Sequence, residues 1–107
     1  MQAANEAMLL VRADLCERLE FLQSRASRLS TRDFTDGVDA IRTIAAAYGL
    51  IPVVRLAEAL ERAVCESGGR CAKSLYLGRL QDAIGCEQLD EQASQAMLAS
   101  ISVRMGG

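Results

Sequence analysis

Any chemistry in this chain has to be done without an imidazole. The 107 residues hold no histidine, one lysine (Lys73) and four cysteines, Cys16, Cys65, Cys71 and Cys86. Without histidine there is no ordinary general base, proton shuttle or nitrogen ligand. The cysteines form no CxxC pair and have no histidine to complete a zinc site. They read as small apolar residues kept reduced in a reducing compartment, although Cys65 and Cys71 flank "ESGGR", a loop that could bring two thiols together. The acids Asp33, Asp36 and Asp39 in "DFTDGVD" suggest a calcium loop, but the alternating ligands and the glutamate at the twelfth position are missing. A phosphoaspartate at Asp39 would need further acids holding magnesium. Asp33 and Asp36 lie near a helix start and would instead repel the incoming phosphate. With no glycine-rich phosphate loop and no nucleophile beside a base, the chain is expected to be no enzyme and to need no cofactor or metal.

Composition narrows the remaining classes. Half the residues are hydrophobic, mostly Ala, Leu, Val and Ile, with two Phe, two Tyr, no Trp and one Pro, Pro52. That is a helical composition, and the length suits one domain, 1–107, with one core. A formal charge of −2 provides no field to hold a polyanion, so nucleic acid is not an expected partner. A helix-turn-helix reader is disfavoured because no helix is strongly basic. The longest uncharged runs, 43–54 and 92–103, fall well short of the ~20 apolar residues that span a bilayer. No membrane association is expected. Glu6 ahead of "AMLLV", with no basic leader, argues against a signal peptide, and a soluble cytoplasmic protein is expected.

The apolar spacing then places the elements. Met8, Val11, Leu15, Leu19, Leu22, Ala26 and Leu29 recur at steps of three and four, predicting one long helix, or two abutting, from Met1 to about Ser30. At 1.5 Å per residue it would run ~45 Å and outreach its neighbours, so its first turns either bend back or pack on a second copy. "STRD", Ser30 to Asp33, has the pattern of a capping box that restarts the chain as a second helix. Phe34, Val38, Ile41, Ala45 and Tyr48 form its expected core face, and Gly49 ends it. Pro52 opens a third helix over Val53 to about Glu66, read from Val53, Leu56, Ala57, Leu60 and Val64 and stopped by "SGGR". A fourth is predicted over Ala72 to Ile84 on Leu75, Leu77, Leu80 and Ile84, closed by Gly85. A fifth would begin near Leu89 and continue on Ala93, Met97, Ile101 and Met105. Short connections favour antiparallel neighbours. The expected fold is all-α, an antiparallel four-helix bundle with an additional helix or an N-terminal extension.

The stretch "DAIRTIAAAYG", residues 39 to 49, followed by "LAEALE", residues 56 to 61, resembles the histidine phosphotransfer (Hpt) domain. That family carries His-x-x-Lys-Gly on a helix, a glycine six residues later, and a leucine-rich second helix closing on Leu-Glu. Aligned on Gly49, Arg42 falls on the lysine, Thr43 on the first glycine and Asp39 on the phosphorylatable histidine. The likeness covers about Phe34 to Glu61. It implies a bundle built to meet a receiver domain or a histidine kinase of a two-component pathway. The missing imidazole implies that this chain carries no phosphate on histidine.

Opposite the expected core stripe lie Asp36, Asp39, Ala40, Thr43, Ala46 and Ala47. Four of these six are small and uncharged, where a helix facing only water usually carries Glu, Lys, Gln and Arg. Either another helix of the bundle covers this face, or it is an exposed seat for a partner, with Asp39, Arg42, Thr43, Ala46 and Ala47 making the contact. Asp39 and Arg42 should pair at i,i+3 in either case, a contact of about 0.2–0.5 kcal/mol. Arg18, Arg25, Arg28 and Arg32 share one side and could rim the seat, unless they are a solvated face interleaved with Glu17 and Glu20. The rival expectation is a homodimer through residues 1–30 or 39–47, with a structural or regulatory role outside phosphorelay.

Overall fold

The structure, a computed structural model, describes residues 2–86. Four helices follow in order: α1 (Gln2–Arg25), α2 (Thr31–Ala47), α3 (Ile51–Ser67) and α4 (Lys73–Ile84). The described residues contain no strand. The fifth helix expected near Leu89 lies outside them.

Local chemistry explains where each helix stops. α1 ends five residues before the predicted Ser30, because the N–H groups of Arg28 and Leu29 both donate to the Arg25 carbonyl, at 2.9 and 3.0 Å, and close a tight reversal. Ser30 then caps α2: its backbone is extended and its Oγ accepts the Asp33 N–H at 3.1 Å. At the other end of α2, Leu50 N–H reaches back to the Ala45 carbonyl at 2.9 Å and Gly49 N–H to that of Ala46 at 3.3 Å. This paired closure needs a left-handed residue between helix and exit, and Gly49 supplies it at φ 71°. Pro52 sits in the first turn of α3, where its missing N–H costs nothing.

The helices pack α1 on α2, α2 on α3, α3 on α4 and α4 back on α1. Their buried faces form one core: Leu15, Leu19 and Leu22; Phe34, Val38, Ile41 and Ala45; Val53, Ala57, Leu60 and Val64; Leu77, Leu80 and Ile84. No described polar or charged residue is buried with them. Each of the larger side chains contributes roughly 1.5–3 kcal/mol by leaving water. Two contacts give α4 its direction: Gln23 Nε2 donates to Gln81 Oε1 at 3.1 Å, and Cys16 is disulfide-bonded to Cys86 with Cα atoms 5.7 Å apart. Residues later in α4 therefore meet residues earlier in α1.

Three expectations need correction. Tyr48 is half exposed, not core: as the C-cap its backbone (φ −110°, ψ 12°) has left the helix, so its ring no longer follows the helical phase. Leu75 is also exposed, since it lies two residues, ~200° of rotation, from Leu77 and cannot share its face. Half-buried Tyr76 packs against the core in its place. The cysteines are not all reduced thiols: Cys16 of α1 and Cys86, just past α4, are disulfide-bonded, whereas Cys65 and Cys71 are free. No described helix is long and apolar enough to cross a membrane.

Candidate functional site

α2 has its heaviest apolar residues at 34, 38, 41 and 45, a single stripe that turns inward. Everything half a turn away must then face outward. Asp36, Asp39, Thr43, Ala46 and Ala47 are all exposed, and Ala40 is half-buried. Among the described residues no helix covers this face, and none of α1, α3 or α4 requires its small side chains.

Arg42 organises the edge of the face nearest α3. Its Nη2 donates to Asp39 Oδ1 in the i,i+3 pair expected from the spacing. Its Nε lies 3.7 Å from Glu61 Oε1, near enough for an ion pair but too far for a hydrogen bond. Glu61 Oε1 is buried without a hydrogen-bond partner among the described residues. Burial therefore pushes the Glu61 carboxyl up from its ordinary range, and the Arg42 charge only partly opposes that rise. The hydrogen bond to Asp39, helped by its charge, holds the Arg42 guanidinium above its usual range. Arg42 is thus a fixed cation between two acids on adjacent helices. Family resemblance singled out Glu61 as part of a motif, but its link to Arg42 crosses from α3 to α2, and no spacing within one helix could disclose it.

Arg25 and Arg28 do not join this constellation. Arg25 stacks on Phe21, 4.5 Å from the ring centroid, and Arg28 belongs to the reversal between α1 and α2. Both flank the start of α2, whereas Ala46 and Ala47 are at its far end, about 22 Å along the axis. Arg18 is paired with Asp14 at 3.0 Å. The expected basic rim is therefore not assembled around the small residues. What adjoins Ala46 and Ala47 instead is the α2–α3 turn, where Tyr48 and Ile51 are 51% and 52% exposed. Sequence reasoning missed both. The only available signal was that Tyr48 directly precedes a glycine expected to break the helix.

No family model matches this chain. No curated protein and no solved structure matches it either. No described group of three or more Cys, Asp or Glu side chains is placed to hold a metal. The face offers one fixed ion pair, a row of methyl-sized side chains and an exposed aromatic at its end. Such a surface can make close backbone-level contact with another protein, with Asp39 and Arg42 providing directional polar contacts.

Proposed function

We propose that this chain is a non-catalytic interaction protein, similar to a histidine phosphotransfer domain that has lost its histidine. It would act in the cytoplasm, binding a receiver domain or a histidine kinase of a two-component pathway and competing for that site. The antiparallel bundle of that family would supply the frame. On α2, Asp39 stands in place of the phosphoryl acceptor, Arg42 keeps a positive charge beside it, and Thr43, Ala46 and Ala47 permit close approach. The exposed, small-residue outer face of α2 carries this reading, because nothing in the packing of the described bundle requires small side chains there. In a reducing cytoplasm Cys16 and Cys86 would be held as two adjacent buried thiols.

The test is titration against the response regulators and kinases encoded with this protein. Ala46→Arg and Asp39→Arg lie on an exposed face, so the fold should survive while binding to the true partner falls at least about tenfold, the scale of a well-placed interface residue. If both variants bind every partner as the parent does, the docking face is wrongly assigned. A second reading, a symmetric homodimer with a structural or regulatory role, draws on α1, whose Leu10 is 72% exposed. Sedimentation at micromolar concentration separates the two: a dimer that Leu10→Glu dissolves favours the second reading, and a monomer favours the first.

A further inference from the structure

Arg25, Arg28 and Arg32 took no part in the site on α2, and the fold gives them other company. Arg25 ends α1, Arg28 lies in the reversal and Arg32 in the first turn of α2, while Arg70 comes from the α3–α4 turn and Lys73 opens α4. Both turns close the same end of the bundle. Two contacts fix where they meet: a Cβ at Gly69 would lie 3.0 Å from Thr31 Oγ1, and Lys73 Nζ sits 4.7 Å from the centre of the Phe34 ring. Segments some 40 residues apart in sequence thus bring their cations to one place, which no spacing along a single helix could show.

Acids do not follow them there. Across residues 25–34 and 66–76 the five cations face two acids, Asp33 and Glu66, in a chain whose formal net charge is −2. The ion pairs among the described residues are those of Arg18 with Asp14 and of Arg42 with Asp39 and Glu61, so none of the five is paired with a described acid. Rings hold two of them instead, Phe21 under Arg25 and Phe34 under Lys73, which fixes a cation without neutralising it. Arg28, Arg32 and Arg70 are exposed and meet neither acid nor ring among the described residues. Stability does not call for this arrangement, because gathered like charges repel and a surface shaped by solubility alone mixes the two signs. Four of the five are arginines, whose forked N–H groups match a carboxylate two at a time. Set on two short turns, they suit a short acidic segment laid across the end of the bundle. Duplex nucleic acid would need a longer basic track and would meet the acid that predominates elsewhere in the chain.

We infer that this end of the bundle is a docking surface for an acidic peptide segment of a partner protein. Arg28, Arg32 and Arg70 make the carboxylate contacts, and Arg25 and Lys73 add charge from fixed positions. The surface lies at the start of α2, at the opposite end from Ala46 and Ala47, and does not depend on the partner proposed for the outer face of that helix.

Fluorescence anisotropy with a labelled oligoglutamate peptide tests this on the full chain. The peptide should bind, and more weakly as salt is raised. Arg28→Glu, Arg32→Glu and Arg70→Glu together should weaken binding about tenfold or more, whereas lysine at the same three positions should keep most of it. Arg55→Glu, Arg62→Glu and Arg79→Glu change the net charge equally at exposed positions elsewhere and should leave most of the binding in place. Should the first glutamate triple lose its helical circular dichroism, Arg70→Glu alone, in an exposed turn, carries the comparison. Absence of binding to oligoglutamate overturns the inference, and so does an equal loss in the two glutamate triples, which would reduce the effect to net charge. Tighter binding to anionic lipid vesicles, or to an RNA of equal charge, overturns it too, since the occupant would then belong to another class.

Discussion

Reducing the Cys16–Cys86 bond should cost this small bundle a large part of its stability. The two cysteines are 70 residues apart in sequence, so the bond closes a loop that takes in α2, α3 and α4. In the chain-entropy account, closing such a loop removes about 15 cal/mol/K from the unfolded ensemble, or about 4.4 kcal/mol at 25 °C. A domain of this length has a total stability of roughly 5–15 kcal/mol. Both cysteines are 8% exposed, so reduction leaves two thiols in a site already dry and packed, and the folded state loses little on its own account. The loss therefore enters through the unfolded chain. With a urea slope of about 1.5 kcal/mol per molar, the unfolding midpoint of the reduced chain should fall by about 3 M at nearly unchanged slope. Far-UV circular dichroism in urea, with and without dithiothreitol, measures this. A thiol count on the unfolded, unreduced chain should find two reactive cysteines, Cys65 and Cys71. Four reactive thiols, or coincident oxidised and reduced unfolding curves, would refute the reasoning.

Other expectations are more local. A Cβ at Gly37 would lie 2.7 Å from Leu22 Cδ2, so Gly37→Ala gains about 1 kcal/mol of helix propensity but displaces a buried leucine at about 1–3 kcal/mol, a net loss of up to about 2. On a Leu22→Ala background the same substitution should turn favourable by about 1 kcal/mol; additive effects in that double-mutant cycle would show that the contact does not set the α1–α2 distance. Ser30→Ala should cost about 1 kcal/mol and speed amide exchange in the first turn of α2, because the Asp33 N–H loses its acceptor; unchanged exchange there would deny Ser30 its capping role. Glu61 gives a pH signature. Burial raises its folded value above the ordinary 4.5, so its stabilising contribution is complete below that pH and is lost as pH rises through the folded value. Glu61→Gln should therefore compare more favourably with the parent near pH ~7 than near pH ~4. The reverse order would mean that attraction to Arg42 outweighs desolvation.

Much of the architecture was legible because it is written in short-range chemistry. Ser30 three residues before Asp33, glycines at 49, 68 and 85, and Pro52 after a glycine each act on their own few residues, and each marks a helix boundary as expected. The helical phase likewise placed Val38, Ile41, Leu60 and Val64 in the core. Failures came where phase and cap disagree, or where position in space decides. Tyr48 belongs to the apolar stripe by spacing but to the cap by geometry, and the cap prevailed. Leu75 is as apolar as the buried stripe of α4, but its spacing of two from Leu77 excludes it from that face. The pairing of Cys16 with Cys86 and the approach of Glu61 to Arg42 depend on how α1 meets α4 and how α2 meets α3. Neither is encoded at a fixed offset along the chain.

The same distinction bears on the face of α2. In a ring of four helices each member has two neighbours and one inward stripe, so the side opposite that stripe faces solvent whatever residues occupy it. Packing among the described residues therefore places no demand on residues 39, 43, 46 and 47, and solubility alone would favour long charged side chains there. Asp39 fits that demand and is held by Arg42, but Thr43, Ala46 and Ala47 do not. Alanine has the highest helix propensity, which accounts for the helix being stable with them, yet Glu, Lys or Gln would cost only a few tenths of a kcal/mol more and would guard the surface better. Internal stability does not distinguish an alanine from a lysine at position 46. A partner that comes within backbone distance of α2 does, and Ala46→Arg, harmless to the fold and obstructive to such a partner, is the substitution on which the two accounts diverge most.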